Sequence, residues 1–230
     1  MKKVIFTIAL IAFTLSAAAQ TTGYKPKTFN DSASYAIGKD MYRAWNQQGI
    51  GIDVEAVANA LLNSKAGEEA WSDSLMQNLL MRFQQAVEER QRARVQENIK
   101  KGEEFLAKNK LNKGVKTTES GLQYKLVSSG NGKHPAATDV VKVHYTGKLI
   151  DGTTFDSSVE RGEPITFPLQ QVIPGWSEGV QLMDEGSTYM LYIPHNLAYG
   201  EQQAGIIPPG SVIIFEVQLL EINPKEEGAE

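Results

Sequence analysis

Residues 141–158 read VKVHYTGKLIDGTTFDSS. Val141, Val143 and Tyr145 alternate with Lys142, His144 and Thr146, the period of a strand with one face buried. Asp151-Gly152 is a hairpin signal, because the tight turns that join antiparallel strands favour residues tolerant of positive φ. The chain then returns as a strand from Thr153 to Asp156. Working outward, Leu122, Tyr124 and Leu126 suggest a strand before this hairpin, and Tyr189 to Pro194 and Val212 to Ile222 suggest two after it. Between them Gly175 to Met183 reads as one short helix, with Trp176, Val180 and Met183 on one face. Strands wrapped around a single helix predict a strongly curved antiparallel sheet in an α+β domain.

The residues before Gly121 read differently. Residues 20–121 contain one proline, Pro26, and residues 122–230 contain eight. Proline is excluded from helix interiors, so only the first part is free to be helical throughout. A helix is expected from Asp31, capped by Asp31 or Ser32, with Tyr35, Met41, Tyr42 and Trp45 at helical spacing. Gly49-Ile50-Gly51 ends it, and Asp53 opens a second, with Val54, Val57, Ala58 and Leu61 on one face. A third begins near Ser72-Asp73 and carries Leu75, Leu79, Phe83 and Val87 at steps of four. It runs through a largely polar stretch toward Asn109, interrupted only by Gly102, and would be roughly 55 Å long at the rise of an α-helix. Polar all round from Gln84 to Lys101, it is expected to bridge solvent or span between domains. The RQRAR run (90–94) is interleaved with Glu88, Glu89 and Glu97, which reads as a solvated face and not as a nucleic-acid surface. The short helices make too small a core alone. Tyr42, Trp45, Leu61, Leu62 and Met76 therefore predict dimerisation through this half.

The chain has 230 residues, a formal net charge of -4, no cysteine and three histidines. Disulfides, thiolate metal sites and a cysteine nucleophile are excluded. At the start, Lys2 and Lys3 precede an apolar run from Val4 to Leu15 and then Ala17-Ala18-Ala19, the pattern of a secretory leader cleaved near Ala19. That run is too short for a membrane span, which needs about 20 apolar residues. Without the leader the net charge is -6, divided as +2 over residues 20–121 and -8 over 122–230. The predicted organisation is a leader (1–19), a helical dimerisation arm with its long helix (20–121), a sheet domain (122–222) and a tail (223–230).

No nucleophile elbow, phosphate-binding glycine loop or HExxH motif is present. Aromatic and branched side chains instead cluster at strand ends and in loops, with Asp156 and Arg161 among them. This suggests an apolar pocket with a few polar handles. His144 and His195 are expected to be an exposed strand residue and a loop residue.

The segments VHYTGKLIDGTTFDSS (143–158), RGEPITFPL (161–169), VIPGW (172–176), LAYG (197–200) and GIIPPGSVIIFEVQLLEI (205–222) follow one another as in the FKBP-type peptidyl-prolyl isomerases. Residues 122–222 resemble that family almost throughout. GEEFLAKNK (102–110), GVKTTESGLQY (114–124) and the long charged helix further resemble the FklB and macrophage-infectivity-potentiator type of bacterial FKBP. The resemblance implies isomerisation of X–Pro bonds in exported, unfolded polypeptides, without cofactor or metal. It also implies a homodimer joined through the N-terminal helices, a periplasmic or outer-envelope location, and macrolides as inhibitors. An alternative is a non-catalytic chaperone that grips unfolded clients.

The resemblance carries Tyr145, Asp156 and Tyr199 over as catalytic residues. Phe155, Arg161, Phe167, Val172, Ile173, Trp176, Ile207 and Phe215 carry over as the substrate-proline pocket, with Trp176 as its floor. The Ile173 amide and the Tyr199 hydroxyl are implied to bond ligand carbonyls. Asp156 either pairs with Arg161 and Tyr145 at the rim or caps a turn through Ser157 or Ser158. Two departures bear on substrate preference and macrolide affinity. Ile165 stands where many members have an aromatic, and the loop Glu201 to Ala204 is a residue shorter and lacks their histidine.

Overall fold

The computed structural model describes residues 24–47, 49–67 and 71–224. The leader expected at 1–19 lies outside them, as does the end of the expected tail. The chain forms two compact units that divide between Ser72 and Asp73.

In the first unit, α1 (Phe29–Gln47) starts with a reciprocal cap. The Thr28 amide donates to the Asp31 carboxylate, and the Asp31 amide donates to Thr28 Oγ1, each at 3.1 Å. Thr28 therefore caps the helix, with Asp31 at the third helical position. The sequence pattern alone suggests Asp31 or Ser32 for this role. α2 (Val54–Ala66) is capped by Asp53, whose carboxylate accepts the Ala56 amide at 3.0 Å. It closes on Gly67 at φ 76. Neither helix buries a residue against the described residues.

The second unit opens with α3 (Asp73–Asn109), 37 residues without a break. Its buried residues are Val95, Gly102 and Asn109. They are spaced by seven, two turns apart, and form a narrow stripe facing the sheet. Phe105 packs 6.1 Å from Tyr192, and the Asn109 side-chain amide donates to Gln123 at 2.9 Å. A β-carbon on Gly102 would stand 2.6 Å from Val212 Cγ2. This part of the helix is therefore docked, not bridging solvent. Hydropathy could not reveal it, because one member of the stripe is a glycine and another an asparagine. The same docking puts the division between units earlier in the chain than the change of composition at Gly121.

Among the described residues seven strands follow: β1 (Val115–Thr117), β2 (Gln123–Ser128), β3 (Val140–Leu149), β4 (Thr154–Ser157), β5 (Ile165–Pro168), β6 (Thr188–Ile193) and β7 (Ile213–Ile222). They form one antiparallel sheet in the order β1-β2-β6-β7-β3-β4, with β5 also on β3. The α+β class, the long helix and the curved sheet expected from the sequence are all present. β1 and β5 were not anticipated; at three and four residues they are too short to show a period. Val141, Val143, Leu191, Ile213 and Val217 fill the core under α5 (Pro174–Gln181). Gly175 and Gly179 let α5 approach β6, since β-carbons there would run into Ile193 and Leu191. Among the described residues, no helix is long and apolar enough to cross a membrane.

Candidate active site

The site begins on the edge of β3 that faces away from β7. β5 pairs with Val140 to Val143 and β4 with Thr146 to Lys148, so two short strands share one edge. Between them the chain leaves the sheet as a single turn, α4 (Ser158–Arg161). Its cap is Ser157, whose hydroxyl accepts the Glu160 amide at 3.2 Å, and Gly162 ends it at φ 80. Ser158, fully buried, accepts the Tyr145 amide at 2.8 Å and lies 3.0 Å from His144 Nδ1. His144 is thus half-buried and hydrogen-bonded, where the sequence suggested an exposed residue.

The turn brings Arg161 back over Tyr145. One guanidinium nitrogen donates to the Tyr145 hydroxyl at 3.0 Å and another donates to the Asp156 carboxylate. The Tyr145 hydroxyl donates to the other oxygen of Asp156. Of the two roles open to Asp156, the pairing at the rim is the one formed. Partial burial pulls the Asp156 carboxyl upward, but the bonds from Tyr145 and Arg161 outweigh it and hold it below the usual carboxylate value. Burial, and then the bond to Asp156, push the Tyr145 phenol up. Those same bonds, to Tyr145 and then Asp156, raise Arg161 further still, so it stays charged. The result is a fixed anion beside a neutral phenol.

Aromatic edges and faces build the rest. Trp176 sits in the first turn of α5, behind Pro174, whose fixed φ suits the first helical position. Its ring meets Phe215 at 4.9 Å and 90° and Tyr145 at 5.3 Å and 88°. Phe155 meets Phe215 at 5.4 Å and 89°, and Phe167 lies 5.4 Å from Trp176. The first three are the edge-to-face contacts that ring quadrupoles favour, and Phe167 lies tilted against the indole. Gly147 of β3 makes room for them: a β-carbon there would stand 2.6 Å from Phe155 and 2.7 Å from Phe215. Trp176 is 5% exposed, and its buried indole N–H has no hydrogen-bond partner among the described residues.

These side chains enclose a cavity of about 520 Å³. Its wall includes Tyr145, Phe155, Asp156, Phe167, Val172, Ile173, Trp176, Tyr199 and Phe215 from the sequence-predicted set. Tyr199 stands at the mouth, 40% exposed. Two predicted residues are not on the wall. Arg161 instead braces Tyr145 and Asp156 through its hydrogen bonds. Ile207 is in the core, 5% exposed, in a small bridge with Ala204. Two further wall residues are Ile165, which the sequence marks only as a departure bearing on substrate preference, and Gln171, which it does not mark. Ile165 was detectable, since it shares a strand face with Phe167. Gln171, a polar residue in a turn before Val172, gave no signal. Among the described residues, no three His, Cys, Asp or Glu side chains converge as a metal site.

A family model described as FKBP-type peptidyl-prolyl cis-trans isomerase matches residues 131–220. A second, described as the domain amino terminal to FKBP-type peptidyl-prolyl isomerase, matches residues 30–126. The chain is 45% identical over 222 residues to FKBP-type peptidyl-prolyl cis-trans isomerase FkpA of Aeromonas hydrophila, covering 91% of this chain and 83% of the relative. It is 38% identical over 230 residues to outer membrane protein MIP of Legionella longbeachae, covering 97% and 99%. The crystal structure of FkpA from Escherichia coli superposes with a TM-score of 0.68 at 34% identity, covering 86% of this chain and 98% of that one.

Proposed function

Because this chain belongs to the FKBP-type peptidyl-prolyl cis-trans isomerase family, we propose that the cavity floored by Trp176 seats the proline ring of an X–Pro bond and lets that bond turn in place. No bond is cleaved. The barrier is about 18–20 kcal/mol because resonance stiffens the C–N bond and places negative charge on the carbonyl oxygen. In the twisted transition state that charge recedes. Apolar walls that remove water from the oxygen disfavour the planar form more than the twisted one. A carboxylate at the rim acts in the same direction, and Tyr145 and Arg161 keep Asp156 ionised there. The site thus favours the transition state over the ground state, as catalysis requires. Tyr199 at the mouth and the Ile173 amide are the groups proposed to orient the flanking carbonyls.

The observation that carries this reading is the convergence of the aromatic box and the Tyr145–Asp156–Arg161 triangle on one cavity. The test is an X–Pro isomerisation assay on the protein without residues 1–19. Acceleration that is lost in Trp176→Ala supports it, and a rate at background overturns it. Titration with a macrolide checks the same cavity for the inhibitor class.

The organisation proposed is a dimerisation arm over 20–121, an isomerase domain over 122–222 and a tail over 223–230. Phe29, Ile37, Tyr42, Leu61 and Leu62 lie exposed on α1 and α2. A second copy of the chain would cover that apolar surface, and sedimentation with and without residues 20–72 tests it. The leader pattern, together with a relative named as an outer membrane protein, supports export to the periplasm or outer envelope and a role in folding exported polypeptides. N-terminal sequencing after cell fractionation checks cleavage near Ala19. The same exposed surface favours a second reading, client gripping without catalysis. Aggregation suppression that survives in Trp176→Ala would support it.

A further inference from the structure

Residues 198–212 carry Tyr199 to the cavity mouth and include Gly200, Gly205 and Gly210, all at positive φ. Glycine fixes little by itself, so such a loop needs anchoring from outside. α3 supplies the anchor. The Asn98 side-chain amide donates to the Pro209 carbonyl at 2.9 Å in a half-buried contact. At the next residue, Gly210 lies so close to the helix that a β-carbon would stand 2.9 Å from both the Val95 carbonyl and Ile99. The Gly210 amide crosses the loop and donates to the Gly200 carbonyl at 2.9 Å. Gly200 follows Tyr199. An unbroken strut therefore runs from α3 through Pro209, Gly210 and Gly200 to the tyrosine at the mouth.

We infer that Asn98 is a positioning residue for the isomerase site: by holding Pro209 it seats the loop that places Tyr199. This makes α3 part of the site's scaffold. The inference rests on the cavity being the proline site, where small displacements of an orienting group are costly.

The experiment uses the full chain without its leader. Asn98→Ala is compared with the parent in peptide isomerisation, thermal unfolding and amide hydrogen exchange at Gly210. The expected result is a loss in kcat/KM of about threefold to tenfold, an unfolding midpoint close to the parent's, and faster Gly210 exchange. Asn98→Gln keeps a donor and should recover part of the rate. Combined with Tyr199→Phe, Asn98→Ala should cost less than the product of the single losses, since both act through one group. Parental kcat/KM in Asn98→Ala overturns the inference, and so do fully multiplicative losses in the double variant. A parent with no isomerase activity would overturn the reading of the cavity instead. Gly210 exchange then decides the strut alone: faster exchange in Asn98→Ala upholds it and unchanged exchange removes it.

Discussion

Arg161 covers Tyr145: its Cζ stands 5.7 Å from the ring centroid, and its guanidinium donates to the phenol oxygen at 3.0 Å. A cation thus holds a tyrosine that in turn holds a carboxylate, and the three act as a unit at the edge of an apolar cavity.

Replacing the anion should cost more than loosening it. Asp156→Ala is expected to lower kcat/KM by about tenfold or more, the effect of losing a charged hydrogen-bonding group. Arg161→Ala and Tyr199→Phe are each expected to lower it by about twofold to fivefold. Steady-state assays on a short proline peptide check the order.

The acid limb of activity reports on the same triangle. Asp156 is held below its ordinary value of 3.8, so it stays ionised until the pH falls beneath that value. Activity should be flat from neutral pH down to that region and then decline. In Arg161→Ala the carboxyl rises toward its ordinary value and the decline begins at higher pH. Exchange NMR of a proline peptide between pH 3 and 7 measures both limbs.

Stability should show an acid dependence of the same sign. Asp184 accepts the Gly132 and Gly130 amides at 3.0 and 2.9 Å, and Glu185 accepts the Ile222 amide at 2.9 Å. Both carboxyls are held below their ordinary values of 3.8 and 4.5. Their contribution is complete above those unfolded-state values and is lost as pH falls through the lower folded-state ones. Urea midpoints should be level above about pH 5 and fall below about pH 4.

Two glycines set opposite propensity and packing against each other. Gly102→Ala should stabilise an isolated helix by about 1 kcal/mol. Here the added methyl meets Val212, and the net effect is expected to be a loss of about 1–3 kcal/mol. Gly147→Ala drives Phe155 and Phe215 apart, with a similar loss and a changed near-ultraviolet circular dichroism spectrum. Chemical unfolding of both variants decides the sign.

The sheet was legible where alternation was long, as from Val141 to Thr146, and α3 was legible from its caps and length. Most of the cavity wall was visible through the family resemblance; spacing alone suggested only an apolar pocket. What escaped had a physical reason. The α3 stripe hides in a glycine and an asparagine, and β5 is four residues long. Ile207, named for the pocket by the resemblance, lies in the core next to its bridge with Ala204 and not on the wall. Asn98 has no neighbour in sequence that marks it, because its partner Pro209 is 111 residues away.

The burial of the Trp176 indole has an optical consequence. The other two tryptophans, Trp45 and Trp71, belong to the first unit, and Trp71 is well exposed. Within residues 73–230 the one tryptophan therefore lies at the floor of the cavity, in apolar surroundings where indole emission is expected to shift to the blue. Whatever fills the cavity down to its floor reaches that ring, so the molecule carries its own optical gauge of occupancy.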